Sequence, residues 1–158
     1  MASPRDYKNT IIPNWCPGCG DYGIQNAISA VCAKKGWANE DITLISGIGC
    51  SSRIGGYQCC YGAHTTHGRA LPFAQGIKCA NKDTHMIVCS GDGDSYAIGL
   101  GHAMHAMKRN MDITYLVFDN QVYGLTKGQT SPASSQGFVT KTTPDGNPMT
   151  PLDAPSMA

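Results

Sequence analysis

Two groups of residues have the types and the spacing to do chemistry. The first is Gly91-Asp92-Gly93-Asp94, set between the apolar run Met86–Cys89 and a helix-like segment. A glycine-rich turn between strand and helix ordinarily receives phosphate on its backbone N–H groups. This one also carries two carboxylates, which a diphosphate would repel unless a cation lay between them. Mg²⁺ favours octahedral oxygen ligation and combines a few protein oxygens with phosphate oxygens and water. Asp92 offers one such oxygen, and Asn120, just past the apolar run Ile113–Phe118, offers an amide oxygen. The carbonyl of Val122 would complete the protein's share. A bare Gly-Asp-Gly is also an ordinary tight turn, and an asparagine an ordinary strand-end cap. A dinucleotide site is a further rival, but neither GDGDSY nor GIGCSS has the third glycine of that fingerprint. The two features together favour a metal–diphosphate site.

The second group is sulfur. Cys16 and Cys19 form a C-x-x-C in the turn-rich stretch Cys16-Pro17-Gly18-Cys19-Gly20, and Cys50 lies in the loop-like GIGCSSR. Thiolates select zinc or iron–sulfur centres, although C-x-x-C alone serves zinc, redox and cluster sites. A thioredoxin-like role wants a strand before the pair, and here an arm with Pro13 precedes it. Cys32, Cys79 and Cys89 fall in apolar periodic runs and read as core, and the adjacent Cys59 and Cys60 as structural. Ser51 and Ser52 are loop hydroxyls able to donate to a cofactor or to bond within their own turn. Taken by themselves, His67 and Arg69 are a loop pair, Lys127 a solvated lysine, and His102 and His105 packing or interface residues.

Three β-rich runs must position these groups: Ile42–Ser46, Met86–Cys89 and Ile113–Phe118. They alternate with helices expected from Asp21 to a stop at Gly36, from Ala70 to Asn81 and from Ser95 to Lys108. Such alternation predicts an α/β fold with a doubly wound, mostly parallel sheet and flanking helices, whose ligands lie at the carboxyl ends of the strands. The first helix, capped by Asp21, is expected to bury Ile24, Ala27, Ile28 and Val31. The third is expected to present Ala97, Ile98, Gly101, Met104 and His105 on one face. Residues 1–20 read as an arm carrying the C-x-x-C, 21–130 as the α/β domain with 54–66 irregular, and 131–158 as a loop region. That last stretch, rich in Pro, Ser, Thr and Gly, has the composition of a loop or disordered tail.

The 158 residues suit one domain. Their charged fraction of 15% is below the usual quarter or so, as expected of a surface partly covered by partners. A net charge of +1 without basic runs gives no reason to expect nucleic acid. No apolar run approaches the roughly 18 residues of a membrane span, and the first residues lack an apolar signal core. No membrane is therefore expected, and the cytoplasm is the expected compartment. Eight cysteines in that setting point to metal or redox chemistry rather than to disulfides.

Five stretches in order carry a more specific resemblance: WCPGCGDYG at 15–23, GIGCSSR at 47–53, THGRALPFAQGIK at 66–78, GDGDSYAIGLGH at 91–102 and DNQVYGLTKGQTSP at 119–132. Together they resemble the β subunit of the 2-oxoacid:ferredoxin oxidoreductases, with GDGD, the later Asn and Tyr-Gly matching its thiamine-diphosphate motif. The resemblance implies a thiamine-diphosphate-binding fold with Mg²⁺ on Asp92, Asn120 and Val122. It implies cofactor contacts from Ile48, Gly49, Cys50 and Ser51, from His67, Gly68 and Arg69, from Gly91, Gly93 and Asp94, and from Gly124 and Leu125. Lys127 would stand at the mouth of the site as a catalytic residue, its ammonium meeting the 2-oxoacid carboxylate.

The resemblance also implies a 4Fe–4S cluster on Cys16, Cys19, Cys50 and a fourth cysteine. None follows Cys89, so the chain reads as an N-terminal portion with that ligand beyond residue 158. The implied reaction is oxidative decarboxylation of a 2-oxoacid to acyl-CoA and CO2, with electrons passing through the cluster to ferredoxin. The partners implied are coenzyme A, the 2-oxoacid, ferredoxin and an α subunit contributing the glutamate that activates the cofactor. Ile48 with Ser51-Ser52 resembles the 2-oxoglutarate-using members. A non-oxidative thiamine-diphosphate enzyme would have no use for the cysteines, and a zinc-bearing interaction module none for the GDGD site.

Overall fold

The computed structural model describes residues 2–157. Four strands form one parallel sheet: β1 (Ile42–Ser46), β2 (Tyr61–His64), β3 (His85–Gly91) and β4 (Thr114–Phe118), in the order β2-β1-β3-β4. Successive side chains of a strand point to opposite faces. Ile42 and Leu44 of β1, with Ile87 and Cys89 of β3, pack toward helix α1 (Gly20–Lys35). Ile45, Met86 and Val88 pack toward α2 (Ala70–Ala80) and α3 (Leu100–Arg109). The sheet is therefore covered on both faces, as expected. From β1 the chain steps outward to β2, then returns on the other side of β1 as β3. The order reverses between those two strands, and open α/β sheets bind their ligands at such a switch point.

The fourth strand was not expected, since residues 54–66 read as irregular. They hold the end of a 3₁₀ turn, Ser51–Gly56, and then β2. That strand is a largely exposed edge reading Tyr-Gly-Ala-His, with no buried alternation to announce it. It lies so close to β1 that a Cβ on Gly62 would stand 2.3 Å from the Leu44 carbonyl oxygen.

Helix α1 buries its expected apolar face only in part, through Ile24 and Ile28, and α3 buries a different one. In α1 the N-cap is Cys19 rather than Asp21, and Gly36 ends the helix at φ 67°. Its inward residues are Asp21, Gln25, Ile28, Ser29 and Cys32, whereas Ala27 and Val31 face outward. The reason is the partner. Gln25 donates to the Tyr57 carbonyl at 3.3 Å and Ser29 to Gln58 Oε1 at 3.4 Å, so this face meets polar groups as well as apolar surface. Before α3, residues Asp94–Ile98 form a π-helical turn. Past that turn Ala103 faces the core, with Ala106 and Met107 against it, while Ile98 and Met104 are exposed.

The arm is packed rather than simply extended. Pro4–Tyr7 is a 3₁₀ turn, and the buried Tyr7 hydroxyl donates to the Trp37 carbonyl at 2.7 Å. Trp15 is buried edge-on against Tyr22 and Tyr57. Residues after Thr130 are not disordered either. They follow the hairpin β5 (Val122–Tyr123) and β6 (Gln129–Thr130) into a folded loop that buries Ser131, Ala133, Ser134 and Asn147. It is held mainly by polar hydrogen bonds rather than by an apolar face, which is why no apolar period marks it. Cys32 and Cys89 are core as expected, but Cys79 is exposed on α2.

Candidate active site

A cleft of about 790 Å³ opens at the carboxyl ends of β1, β3 and β4. Asp92, at the end of β3, is 1% exposed and contributes to its wall. Burial holds its carboxyl above the ordinary range, a hydrogen bond from the Ser131 hydroxyl opposes that, and the nearby Asp119 carboxylate adds to it. Among the described residues no cationic side chain pairs with Asp92. A buried carboxylate facing a cleft, with a second carboxylate near and no counter-charge, is a site suited to a cation.

Asn120 and Val122 stand on the same wall. Between them Gln121 adopts φ 60°, turning the chain so that the Val122 N–H donates to Asn120 Oδ1 at 3.2 Å. An amide oxygen has a second lone pair, so this bond orients the group without using it up. Tyr123 closes the wall, its hydroxyl donating to the Gly93 carbonyl at 3.1 Å. Its ring fills the space a side chain would need, since a Cβ on Gly93 would lie 2.3 Å from Tyr123 Cε1. The second glycine of the GDGD turn is required by packing.

Asp94 plays a different part from the ligand contact expected of it. It lines the cleft, but its oxygens are taken by protein donors. Oδ1 accepts from the backbone N–H of Ile48 at 3.2 Å and of Gly68 at 2.7 Å, and bonds His67 Nδ1 at 2.6 Å. Oδ2 accepts from the Ser90 hydroxyl. One carboxylate thus ties together the loop after β1, the segment before α2 and the end of β3. Gly47 makes room for it, as a Cβ there would fall 1.7 Å from Oδ2.

The other expected residues divide. Ile48, Gly49, Cys50 and Ser51 line the cleft, as do His67, Gly91, Gly124 and Leu125. Gly68 does not, and serves Asp94 from behind. Arg69, expected at phosphate, lies outside the cleft, where Nη1 meets His102 Nε2 at 2.7 Å. Burial, and then the neighbouring guanidinium, hold His102 below its ordinary pKa, consistent with a neutral imidazole accepting that bond. Lys127 is exposed on the β5–β6 turn at φ 78° and is not part of the lining. Ser52 is buried away from the cleft, its hydroxyl without a protein partner.

Cys16, Cys19 and Cys50 line the same cleft. Trp15 Nε1 donates to the Cys50 carbonyl at 2.7 Å and anchors this corner. The Cys50 thiol is pushed above its ordinary pKa by burial first, then by the charges of Asp21, Cys16 and Cys19. Among the described residues no three His, Cys, Asp or Glu side chains close on a common metal position. The three thiols are gathered, not joined. Cys50 Sγ and Asn120 Nδ2 lie 3.7 Å and 3.4 Å from where a Cβ on Gly124 would stand, so this glycine is where the sulfur corner meets the carboxylate wall. Sequence reasoning missed Asp21 as a cleft residue, Tyr123 as a wall and Ser131 as the partner of Asp92. Only Tyr123 had a signal, its place beside Gly124 after Asn120.

The profile of a family described as thiamine pyrophosphate enzyme, C-terminal TPP binding domain, matches residues 47–158. The chain belongs to that family. Its β1 and β3 loops, its GDGD turn and Asn120 all fall within the match. The resemblance to 2-oxoacid:ferredoxin oxidoreductase β subunits is borne out as well. The chain is 47% identical, over 98% of its length, to the 2-oxoglutarate oxidoreductase subunit KorB of Mycobacterium tuberculosis, and spans 41% of that protein. It is 44% identical, over 99% of its length, to the 2-oxoglutarate synthase subunit KorB of Archaeoglobus fulgidus, and spans 59% of it. It superposes with a TM-score of 0.95 on the 2-oxoglutarate:ferredoxin oxidoreductase of Magnetococcus marinus, solved with 2-oxoglutarate, coenzyme A and succinyl-CoA bound. There it shares 43% identity and covers 97% of this chain but 53% of that one. The chain thus spans about half the length of the relatives it matches.

Proposed function

We propose that this chain supplies the thiamine-diphosphate half of a 2-oxoacid:ferredoxin oxidoreductase, as a β subunit working with an α subunit in the cytoplasm. The observation that carries this reading is a single cleft lined by both an uncompensated buried carboxylate and three thiols. Asp92, the Asn120 amide oxygen and the Val122 carbonyl would hold Mg²⁺, and through it the diphosphate. Ile48, Gly49, Ser51 and His67 would line the cofactor's path, with the β1 loop held in place by Asp94. Cys16, Cys19 and Cys50 would carry three ligands of a 4Fe–4S cluster, whose fourth thiolate comes from outside this cysteine set.

Bound thiamine diphosphate supplies the electron sink that decarboxylation of a 2-oxoacid needs. The chain's own contribution is to anchor the diphosphate, to fix the ring's depth in the cleft and to keep the thiols within reach of it. A cluster held at the sulfur corner would supply an exit for electrons toward ferredoxin, and coenzyme A would accept the acyl group. The names of the M. tuberculosis and A. fulgidus relatives, and the ligands of the M. marinus protein, support 2-oxoglutarate as the 2-oxoacid.

The test uses the complex with its α subunit, purified without oxygen. It should be brown, bleach with dithionite and reduce ferredoxin with 2-oxoglutarate and coenzyme A faster than with pyruvate. A colourless protein holding zinc would overturn the cluster and favour an interaction module. A brown complex that prefers pyruvate would overturn the substrate alone. Asp92→Ala should abolish Mg²⁺-dependent thiamine diphosphate binding, and unchanged binding by calorimetry would refute the metal site.

A further inference from the structure

The segment whose composition resembles a disordered tail is the part of the molecule that closes on Asp92. Ser131 is 5% exposed and its hydroxyl donates to Asp92 Oδ2. The Ala133 N–H donates to that same hydroxyl oxygen at 3.3 Å, so the oxygen accepts from the loop while its proton points to the carboxylate. Ser131's own N–H donates to Ser134 Oγ at 2.8 Å. Ser134, fully buried, donates in turn to the carbonyl of Gln121 at 2.5 Å. Gln121 sits between Asn120 and Val122. Asn147 closes the loop by donating to the carbonyls of Ser134 at 3.1 Å and Ser135 at 3.3 Å. One short loop therefore touches both arms of the wall, Asp92 directly and the Asn120–Val122 turn through its middle residue.

We propose that Ser131 is a positioning residue for the metal site. It holds the Asp92 carboxylate in one orientation, and with Ser134 it sets the separation between that carboxylate and the oxygens of Asn120 and Val122. The inference rests on Asp92 being a metal ligand. It adds the point that the loop, and not the strand ends alone, determines how well the metal is held. Hydrogen-bonding partners of metal-ligating groups typically change metal affinity by about 10–100-fold when removed. Mg²⁺ tolerates misplaced ligands poorly because it demands near-ideal geometry.

The test is a calorimetric titration of Mg²⁺ into the intact complex at saturating thiamine diphosphate, with the melting temperature of the metal-free complex measured beside it. Ser131→Ala should raise the Mg²⁺ half-saturation concentration about 10–100-fold while leaving the metal-free melting temperature nearly unchanged. Ser131→Thr, which keeps the hydroxyl, should restore the wild-type value. If Ser131→Ala fails to fold, Ser131→Cys replaces it, since a thiol is a weak donor, and should also raise the half-saturation. Unchanged Mg²⁺ affinity in the alanine or cysteine variant overturns the proposal. So does a loss that threonine fails to restore and that tracks a lower metal-free melting temperature, because the loop would then only stabilise the fold. Absence of Mg²⁺-dependent binding in the wild type would instead refute the metal-site reading itself.

Discussion

At the scale of single residues, the glycines and cysteines make the most direct predictions. Gly93 lies under the Tyr123 ring, so Gly93→Ala should cost about 1–3 kcal/mol by overpacking. Removing the ring in a Gly93→Ala/Tyr123→Ala double variant should recover part of that loss, and a double-mutant cycle in urea would measure the coupling. Additive losses would mean the ring is not what excludes the methyl group. Among the thiols, Cys60 is pushed up to about 11, chiefly by burial. Thiolate is the reactive form, so Cys60 and the fully buried Cys89 should resist iodoacetamide at neutral pH in the folded protein. The exposed Cys59 and Cys79 should react first, as peptide mass mapping would show. Early modification of Cys60 would contradict its packing against the core.

At the scale of elements, legibility followed burial. β1 and β3 are buried along most or all of their length and read as continuous β-rich runs. β2 is exposed and pairs through its backbone, so its side chains carry no message. The helices were found, but the inward face of α1 only in part and that of α3 not at all. In α1 Ile24 and Ile28 pack inward as expected, but the rest of the face meets the Tyr57 carbonyl and the Gln58 side chain, which Gln25 and Ser29 reach. In α3 the inner face is marked by the small residues Ala103 and Ala106, whereas the larger Ile98 and Met104 are exposed, so side-chain size points the wrong way. This orientation is testable. Met104→Lys should change stability by no more than about 0.5 kcal/mol, as surface substitutions do. Ala103→Leu should cost about 1–3 kcal/mol. The reverse ranking in denaturant melts would restore the face that Met104 marks.

At the scale of the whole molecule, the sheet order brings Cys50, Asp92 and Asn120 to one cleft, where the sulfur corner adjoins the carboxylate wall. The location of the site was legible because Asp92, Asn120 and Cys50 all follow strand-like runs and must emerge at the same edge. Arg69 was misplaced because its position depends on the path of the segment before α2, which no local pattern encodes. The stretch after Thr130 was legible as a loop, but its order was not, because that order comes from serine and asparagine hydrogen bonds, which look like disorder when only composition is considered. The single carboxylate of Asp94 has a consequence for how a ligand would enter. It gathers three separate chain segments through bonds made wholly within the protein, so their ordering entropy is spent during folding and not on binding. Entry should then behave as docking to a preformed shape, with a rate that does not wait for the loops. The amides of Ile48 and Gly68 should be protected from hydrogen exchange in the empty protein, and Asp94→Ala should release both.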